Sequence, residues 1–535
     1  MKINLIKIFF ILSIINSIYG QELFIGDSYR IYPSDVTQTE PVVSVSPINS
    51  LILFASAVTI NTNSGFKSEG VYISTNGGLN WFGSDTCNGE NIFNHGGDPG
   101  VVIDKNGVFI LTHIGSIFYG MYSHYSLNSG ANWSTAYSII TQQTEDKSST
   151  TTDVIPTSPY YGRTYISFVR FVSPFPVMVS YTTNSGISWT TPQAINNPPP
   201  SRCSGGYVIV GMNGRVLLCW AGVNNVIPYT EDFIGFAYSD DGGVNWNLNQ
   251  NIFDVNGING TLPSKSNIRV NGLPRMDIDL SGGIRNGWIY IVTTEKNLPP
   301  AGSDPDIILR YSSNDGLSWS SGIRVNQDPL NNGKIQYFPA IKVDNTGAIN
   351  IIFYDDRNTS SDSAEVYLAR STNGGSTWSE YCISGHRFKP KPITGGPSSY
   401  QGDFISLEFT NNKLIPLWMD DYSGIYQIWT VPIDIGTFLV KENHLNSPED
   451  IVIKKCYPNP FNNSIKISYS VNQSRYYFIE VFDIAGKKID VITEGFITPG
   501  NYNVYWNAQD FPSGIYFLRI SSSEYSVATK IVLLK

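Results

Sequence analysis

The chain alternates between short apolar runs and clusters of Gly, Asn, Asp and Ser, and it does so periodically. Runs such as Pro99-Gly-Val-Val-Ile-Asp104 end at an Asp turn. After a turn that contains glycine comes an apolar strand, as in Ile349-Asn-Ile-Ile-Phe-Tyr354. Segments of this length between turn residues predict antiparallel strands joined by hairpins. A third strand, Val366-Tyr-Leu-Ala-Arg370 in one unit, leads into a turn bearing a tryptophan, and a fourth leaves it. Four antiparallel strands repeated every 52 to 73 residues, measured from Trp to Trp, predict the blades of a β-propeller.

The tryptophan turn recurs six times: Ser74, Asn76, Gly78, Trp81; Ser126, Asn128, Gly130, Trp133; Thr182, Asn184, Gly186, Trp189; Ser239, Asp241, Gly243, Trp246; Ser312, Asn314, Gly316, Trp319; and Ser371, Asn373, Gly375, Trp378. Asn or Asp caps the backbone two residues on, Gly supplies φ > 0, and Trp buries a large ring against the neighbouring unit. These roles are structural. The inner-strand segments number seven, near 41–58, 99–113, 153–170, 207–220, 274–293, 339–354 and 402–419. The seventh unit has no Trp turn, and Leu23–Ile31 can supply its fourth strand, closing the ring and removing exposed sheet edges. The fold expected is all-β: a seven-bladed propeller, with six blades as the alternative, followed by a small antiparallel β-sandwich. The six turns resemble the Asp-box, or bacterial neuraminidase repeat, over about residues 30–435. That resemblance implies a sialidase-like propeller fold, which is shared by enzymes and by non-enzymatic proteins.

The ends of the chain address it. Lys2 and Lys7 flank the start of an apolar run, Ile8–Ile15, and Gly20 precedes Gln21, which predicts a removable signal peptide over 1–20. No other stretch reaches transmembrane length. The propeller is expected over 21–440 and a polar linker over 441–450. Over 451–535, period-2 strands lie between Gly and Pro turns, which predicts the sandwich. Tyr457-Pro-Asn-Pro-Phe461, Asp483-Ile-Ala-Gly-Lys487, Gly514-Ile-Tyr-Phe517 and the final Lys535 resemble the type A C-terminal sorting domain of the type IX secretion system. The resemblance implies that secretion machinery is a partner, that the protein crosses the outer membrane, and that the domain is then removed, with attachment to the cell surface as a further step.

Composition narrows the partners. From Ser447 onward Lys and Arg number 9 against 8 Asp and Glu, whereas the remainder carries 26 against 36. An acidic propeller argues against nucleic acid. Five cysteines form no disulfide framework, and only Cys203 and Cys219, flanking an Asn-Gly turn, are candidates to pair. The five histidines lack metal-ligand spacing, so no zinc site is expected.

A sialidase needs arginines around the substrate carboxylate. Arg30 in Tyr29-Arg30-Ile31-Tyr32-Pro33 loosely resembles that family's Phe-Arg-Ile-Pro element, and Arg275 and Arg357 are further channel candidates. Arg310 and Arg370 sit ahead of Trp turns, towards the outside of a blade. Two acidic clusters, Asp355-Asp356-Arg357 and Asp420-Asp421, end equivalent second strands and should gather at one mouth of the channel. Such carboxylates can serve as acid and base in glycoside hydrolysis, coordinate Ca²⁺ as a cofactor, or cap their own turns. The function expected is that of an exported carbohydrate- or protein-binding propeller; the alternative is a glycoside hydrolase of exo-sialidase-like type.

Overall fold

A computed structural model describes residues 23–89, 95–141, 144–197, 199–435, 451–483, 487–522 and 526–535. The expected signal peptide and the 441–450 linker lie outside the described residues. Two compact units emerge, Ile25–Ile435 and a second that contains Gly436–Lys535.

The first unit is a ring of seven antiparallel sheets. The first blade runs Thr37–Val45, Leu53–Asn61, Phe66–Ser74, Phe82–Ser84 from inside to outside, and the second runs His95–Ile103, Phe109–Gly115, Met121–Ser126, Tyr137–Ile140. Five more blades follow, and the inner strand of the seventh, Ser406–Thr410, returns to lie against that of the first. The seventh blade takes its outer strand from the other end of the chain: Tyr29 pairs with Thr430 and Arg30 with Trp429. The expected ring closure is thus present. One inner strand is misplaced in the sequence reading. The third blade begins at Glu145–Thr152, ahead of the expected 153–170 segment. Its sequence, EDKSSTTT, has no apolar pattern to betray it, because its side chains line a polar part of the channel.

Apolar cores lie between the blades. Phe54, Val71 and Ile73 of the first blade meet Val101, Ile103, Phe109, Leu111 and Trp133 of the second, and the fourth and fifth blades are joined in the same way. Every Trp turn carries the same three hydrogen bonds. In the first, Ser74 Oγ donates to Asn76 Oδ1 (3.0 Å), while Gly78 N–H donates to Ser74 Oγ and Asn80 N–H to Asn76 Oδ1 (2.9 Å each). In the fifth, Trp319 lies edge-on to Phe236 of the preceding blade. A Cβ on Gly316 (φ +84°) would stand 2.2 Å from the Phe236 ring. Gly316→Ala should therefore cost roughly 2–4 kcal/mol in denaturant unfolding. Gly65→Ala, at φ +72° with nothing within 4 Å, should cost about 1 kcal/mol from backbone strain alone.

The long interval between Trp246 and Trp319 holds an extra hairpin, Gly260–Leu262 and Ile268–Val270. Cys203 and Cys219 do not pair. Both are free, and they project from opposite faces of the fourth blade into different interblade cores. Strand alternation separates them even though their strands are neighbours.

The second unit is a sandwich of a three-stranded sheet (Ile451–Tyr457, Ser464–Val471, Gly500–Asn507) and a four-stranded one (Lys488–Ile497, Arg475–Phe482, Gly514–Ser521, Ser526–Leu533). Alternate residues meet in its core: Ile465, Ile467 and Tyr469 from one sheet, Ile479, Val481, Leu518 and Ile520 from the other.

Candidate functional site

Inner strands start at the mouth where second strands end, as the pairing of Gln336 with Asp355 shows. Five inner strands carry a bulge near that start, between Thr39/Val42, Gly97/Gly100, Asp146/Ser149, Ser204/Tyr207 and Tyr337/Ala340. Each bulge contains one residue in the left-handed region: Glu40 (φ 54°), Asp98 (φ 50°), Lys147 (φ 57°), Gly205 (φ 61°) and Phe338 (φ 52°). Four of the five are not glycine. Such strain persists only where the surrounding structure fixes it, and it concentrates at functional positions.

Equivalent bulges bring their side chains together near the axis. Lys147 Nζ pairs with Asp403 of the seventh blade. Arg269, on the extra hairpin, grips the same carboxylate with Nη2 at 2.6 Å and Nε at 3.1 Å. Asn271 Nδ2 donates to the Asp403 carbonyl (3.0 Å), and Lys147 N–H donates to Asp98 Oδ2 (2.5 Å). Glu40, Asp98 and Asp403 are buried. Burial, then the charges of Asp98 and Asp403, pushes the Glu40 carboxyl well above its ordinary range. Burial and Asp98 do the same to Asp146. Burial also works to raise Asp403, but Lys147 and Arg269 outweigh it and hold that group low. The carboxyl of Asp403 is thus shifted down while those of Glu40 and Asp146 are shifted up, a divergence that acid–base catalysis uses.

The space beside this cluster is small. A cavity of about 110 Å³ is lined by inner-strand residues of all seven blades, among them Val43, Val101, Ser149, Tyr207, Arg275, Ile341 and Phe404. Small-molecule sites occupy roughly 300–1,000 Å³, and one water takes about 30 Å³. The axis has room for a few water molecules and not for a sugar ring.

The sequence-derived candidates divide. Arg275 does line the channel, its guanidinium between the rings of Tyr207 and Phe404 (5.3 and 5.2 Å). Arg30 lies on the outer strand of the seventh blade, at the rim, so the expected arginine group is not assembled. Arg357 stays local, donating through Nε to Asp355 (2.8 Å) and in a fork to Glu380 (2.6 and 2.8 Å). Asp356 is buried against Lys265 Nζ (2.7 Å), which burial pulls below its ordinary value despite this partner. Asp420 accepts from Trp418 Nε1 (2.7 Å) and faces His386 Nε2 (2.8 Å), and Asp421 pairs with Lys391 (2.7 Å). Each of these carboxylates faces a nitrogen donor, which is not the oxygen-rich surrounding that Ca²⁺ takes. The expected carboxylates end second strands, whereas the charged groups that converge near the axis sit on or beside the inner strands. Their signal in sequence is weak: a charged residue where an apolar inner strand should begin, as at Thr39-Glu40-Pro41 and Gly97-Asp98-Pro99.

Residues 455–534 match the family described as the secretion system C-terminal sorting domain. No curated protein matches the chain by sequence. Similar solved structures include a protein of unknown function from Dyadobacter fermentans, at 11% identity and TM-score 0.44, covering 77% of this chain and 99% of that one. Another is an ulvan lyase of polysaccharide lyase family 25, at 10% identity and TM-score 0.48, covering 75% and 94%. A third is an α-L-arabinofuranosidase from Fusarium graminearum, at 12% identity and TM-score 0.37, covering 63% and 91%. These likenesses concern the fold alone. No helix among the described residues is long and apolar enough to cross a membrane. The chain is a seven-bladed propeller with a C-terminal domain of the secretion sorting family, and so a secreted protein.

Proposed function

We propose that this protein is a binding propeller, displayed outside the cell, that takes a macromolecular ligand on the channel mouth formed by the loops between second and third strands. The carrying observation is a row of exposed apolar tips on three consecutive blades: Ile117, Phe118 and Tyr119 on the second, Val172 on the third, Val226 and Ile227 on the fourth. All six belong to equivalent loops and therefore to one face. Beside them an open groove of about 280 Å³ is lined by Arg170, Val172, Pro174 and Pro176. Clustered apolar side chains on a secreted surface mark an interface, and their mostly aliphatic character suits a protein partner better than a sugar chain.

The test is binding of the purified chain to extracellular proteins and to a glycan array. Phe118→Asp with Ile227→Asp should weaken capture at least about tenfold by removing apolar contacts, with no change in thermal midpoint. Unaltered capture by the double variant would reject the face. The second reading, catalysis on a glycan, rests on the opposed shifts of the Glu40, Asp146 and Asp403 carboxyls and needs an opening of the axis wider than the about 110 Å³ beside them. Turnover on a glycosidase and lyase substrate panel, lost in Asp403→Asn, would install it. The family's known processing adds a proposal on the tail: removal of 455–535 should leave the propeller folded but retained inside the cell, read by fractionation.

A further inference from the structure

We infer that His95, His113 and His124 form a buried zinc(II) site between the first and second blades. The three lie on consecutive strands of the second blade and share one face, because Leu111 pairs with His124, His113 with Tyr122, and His95 with Gly115. That face meets Glu69 on the third strand of the first blade. The ligand nitrogens of the three rings lie within 4.8 Å of one another. His95 Nε2 and His124 Nε2 are 3.2 Å apart. Zn–N bonds of about 2.0–2.1 Å in a tetrahedron set two ligands about 3.3 Å apart.

The outer nitrogens are held as metal-binding histidines require. His113 Nδ1 lies 2.8 Å from the Ile114 carbonyl and His124 Nδ1 2.9 Å from the Ser134 carbonyl. His95 Nδ1 accepts from the Glu69 amide N–H (3.1 Å) and lies 2.6 Å from Glu69 Oε2, an oxygen buried without a hydrogen-bond partner among the described residues; the other carboxylate oxygen accepts from Gly97 N–H (2.8 Å). The carbonyls hold the protons of His113 and His124 on Nδ1 and leave their Nε2 lone pairs facing His95; a metal would join the three Nε2 atoms once the His95 proton sits on Nδ1 against Glu69 Oε2. A proton shared between His95 and His124 would satisfy that pair, but His113 Nε2 is buried without a hydrogen-bond partner among the described residues. A cation satisfies all three. Three imidazole nitrogens form a donor set that suits zinc. The rings are at most 1% exposed, which leaves no approach for a substrate. The ion's role is to tie together three strands of the second blade, with Glu69 of the first blade beside His95.

The full chain, stripped with a chelator and dialysed, should bind one zinc ion in competition with a chromophoric chelator, melt at higher temperature with zinc than without, and give the intense visible bands of four-coordinate Co²⁺. His113→Gln and His124→Gln should weaken zinc binding by more than about 100-fold, and Glu69→Gln by about 10–100-fold. Where a variant fails to fold, the wild-type titration and cobalt spectrum decide alone. No zinc uptake at micromolar metal, octahedral cobalt bands, or unchanged affinity in a folded histidine variant would each overturn the site.

Discussion

Asp403→Ala is expected to lower the unfolding free energy of the propeller by about 3–5 kcal/mol, because it strands the Lys147 ammonium and the Arg269 guanidinium beside a closed axis. The two cations come from the third blade and the extra hairpin, so one carboxylate ties distant parts of the ring together. Urea unfolding followed by tryptophan fluorescence measures the loss, and adding Lys147→Met should recover part of it. The pH dependence has two opposing limbs. Asp403 is held below its ordinary value, so its contribution is complete above the unfolded pKa of about 3.9 and fades as pH falls through its lower folded value. Glu40 and Asp146 are raised, so what they contribute is complete at low pH and fades as pH rises through their folded values. Glu40→Gln mimics the protonated acid and should flatten the decline that sets in as pH rises above the ordinary carboxylate range. An unchanged slope there would show that the Glu40 carboxyl is not raised in the folded protein.

Deletion of residues 23–31 is expected to cost on the order of 5 kcal/mol and to make the protein associate. The segment buries Ile31, and Ile31 N–H donates to the Ile428 carbonyl at 3.0 Å. Tyr29 Oη donates to the Gly78 carbonyl (2.5 Å) in the Trp turn of the first blade. Burial of two large side chains at roughly 2 kcal/mol each and backbone hydrogen bonds at about 1 kcal/mol each set the scale. Loss of the strand also exposes the edge of Gln427–Thr430 to pairing with another chain. Denaturant unfolding gives the first effect and light scattering the second. A monomer of unchanged stability would mean that the ring closes without its outer strand.

What could be read from the residues followed from local chemistry. The Trp turn is a short-range object: its hydroxyl, amide and glycine bond within six residues, so the sequence carries its whole geometry. Alternation of apolar positions likewise specified the second and third strands, and the seventh blade emerged from counting them. Glu145–Thr152 escaped because a strand facing a polar channel has no hydrophobic signature. Asp355, Asp356, Asp420 and Asp421 were legible as a cluster at one mouth, but their partners were not: Lys265 lies 91 residues from Asp356 in the chain.

The sorting domain, the blade repeat and the ring closure were thus determined by the sequence itself, since each rests on contiguous motifs or strand-length patterns. The two polar centres were decided only by tertiary structure. Glu40, Asp98 and Lys147 meet Asp403 because the ring brings three equivalent bulges and the approach to the seventh inner strand to a common axis. His95, His113 and His124 meet because cross-strand register places residues 11 to 29 positions apart on one face. No spacing rule along the chain encodes either convergence, which arises from the pairing of strands and the closure of the ring.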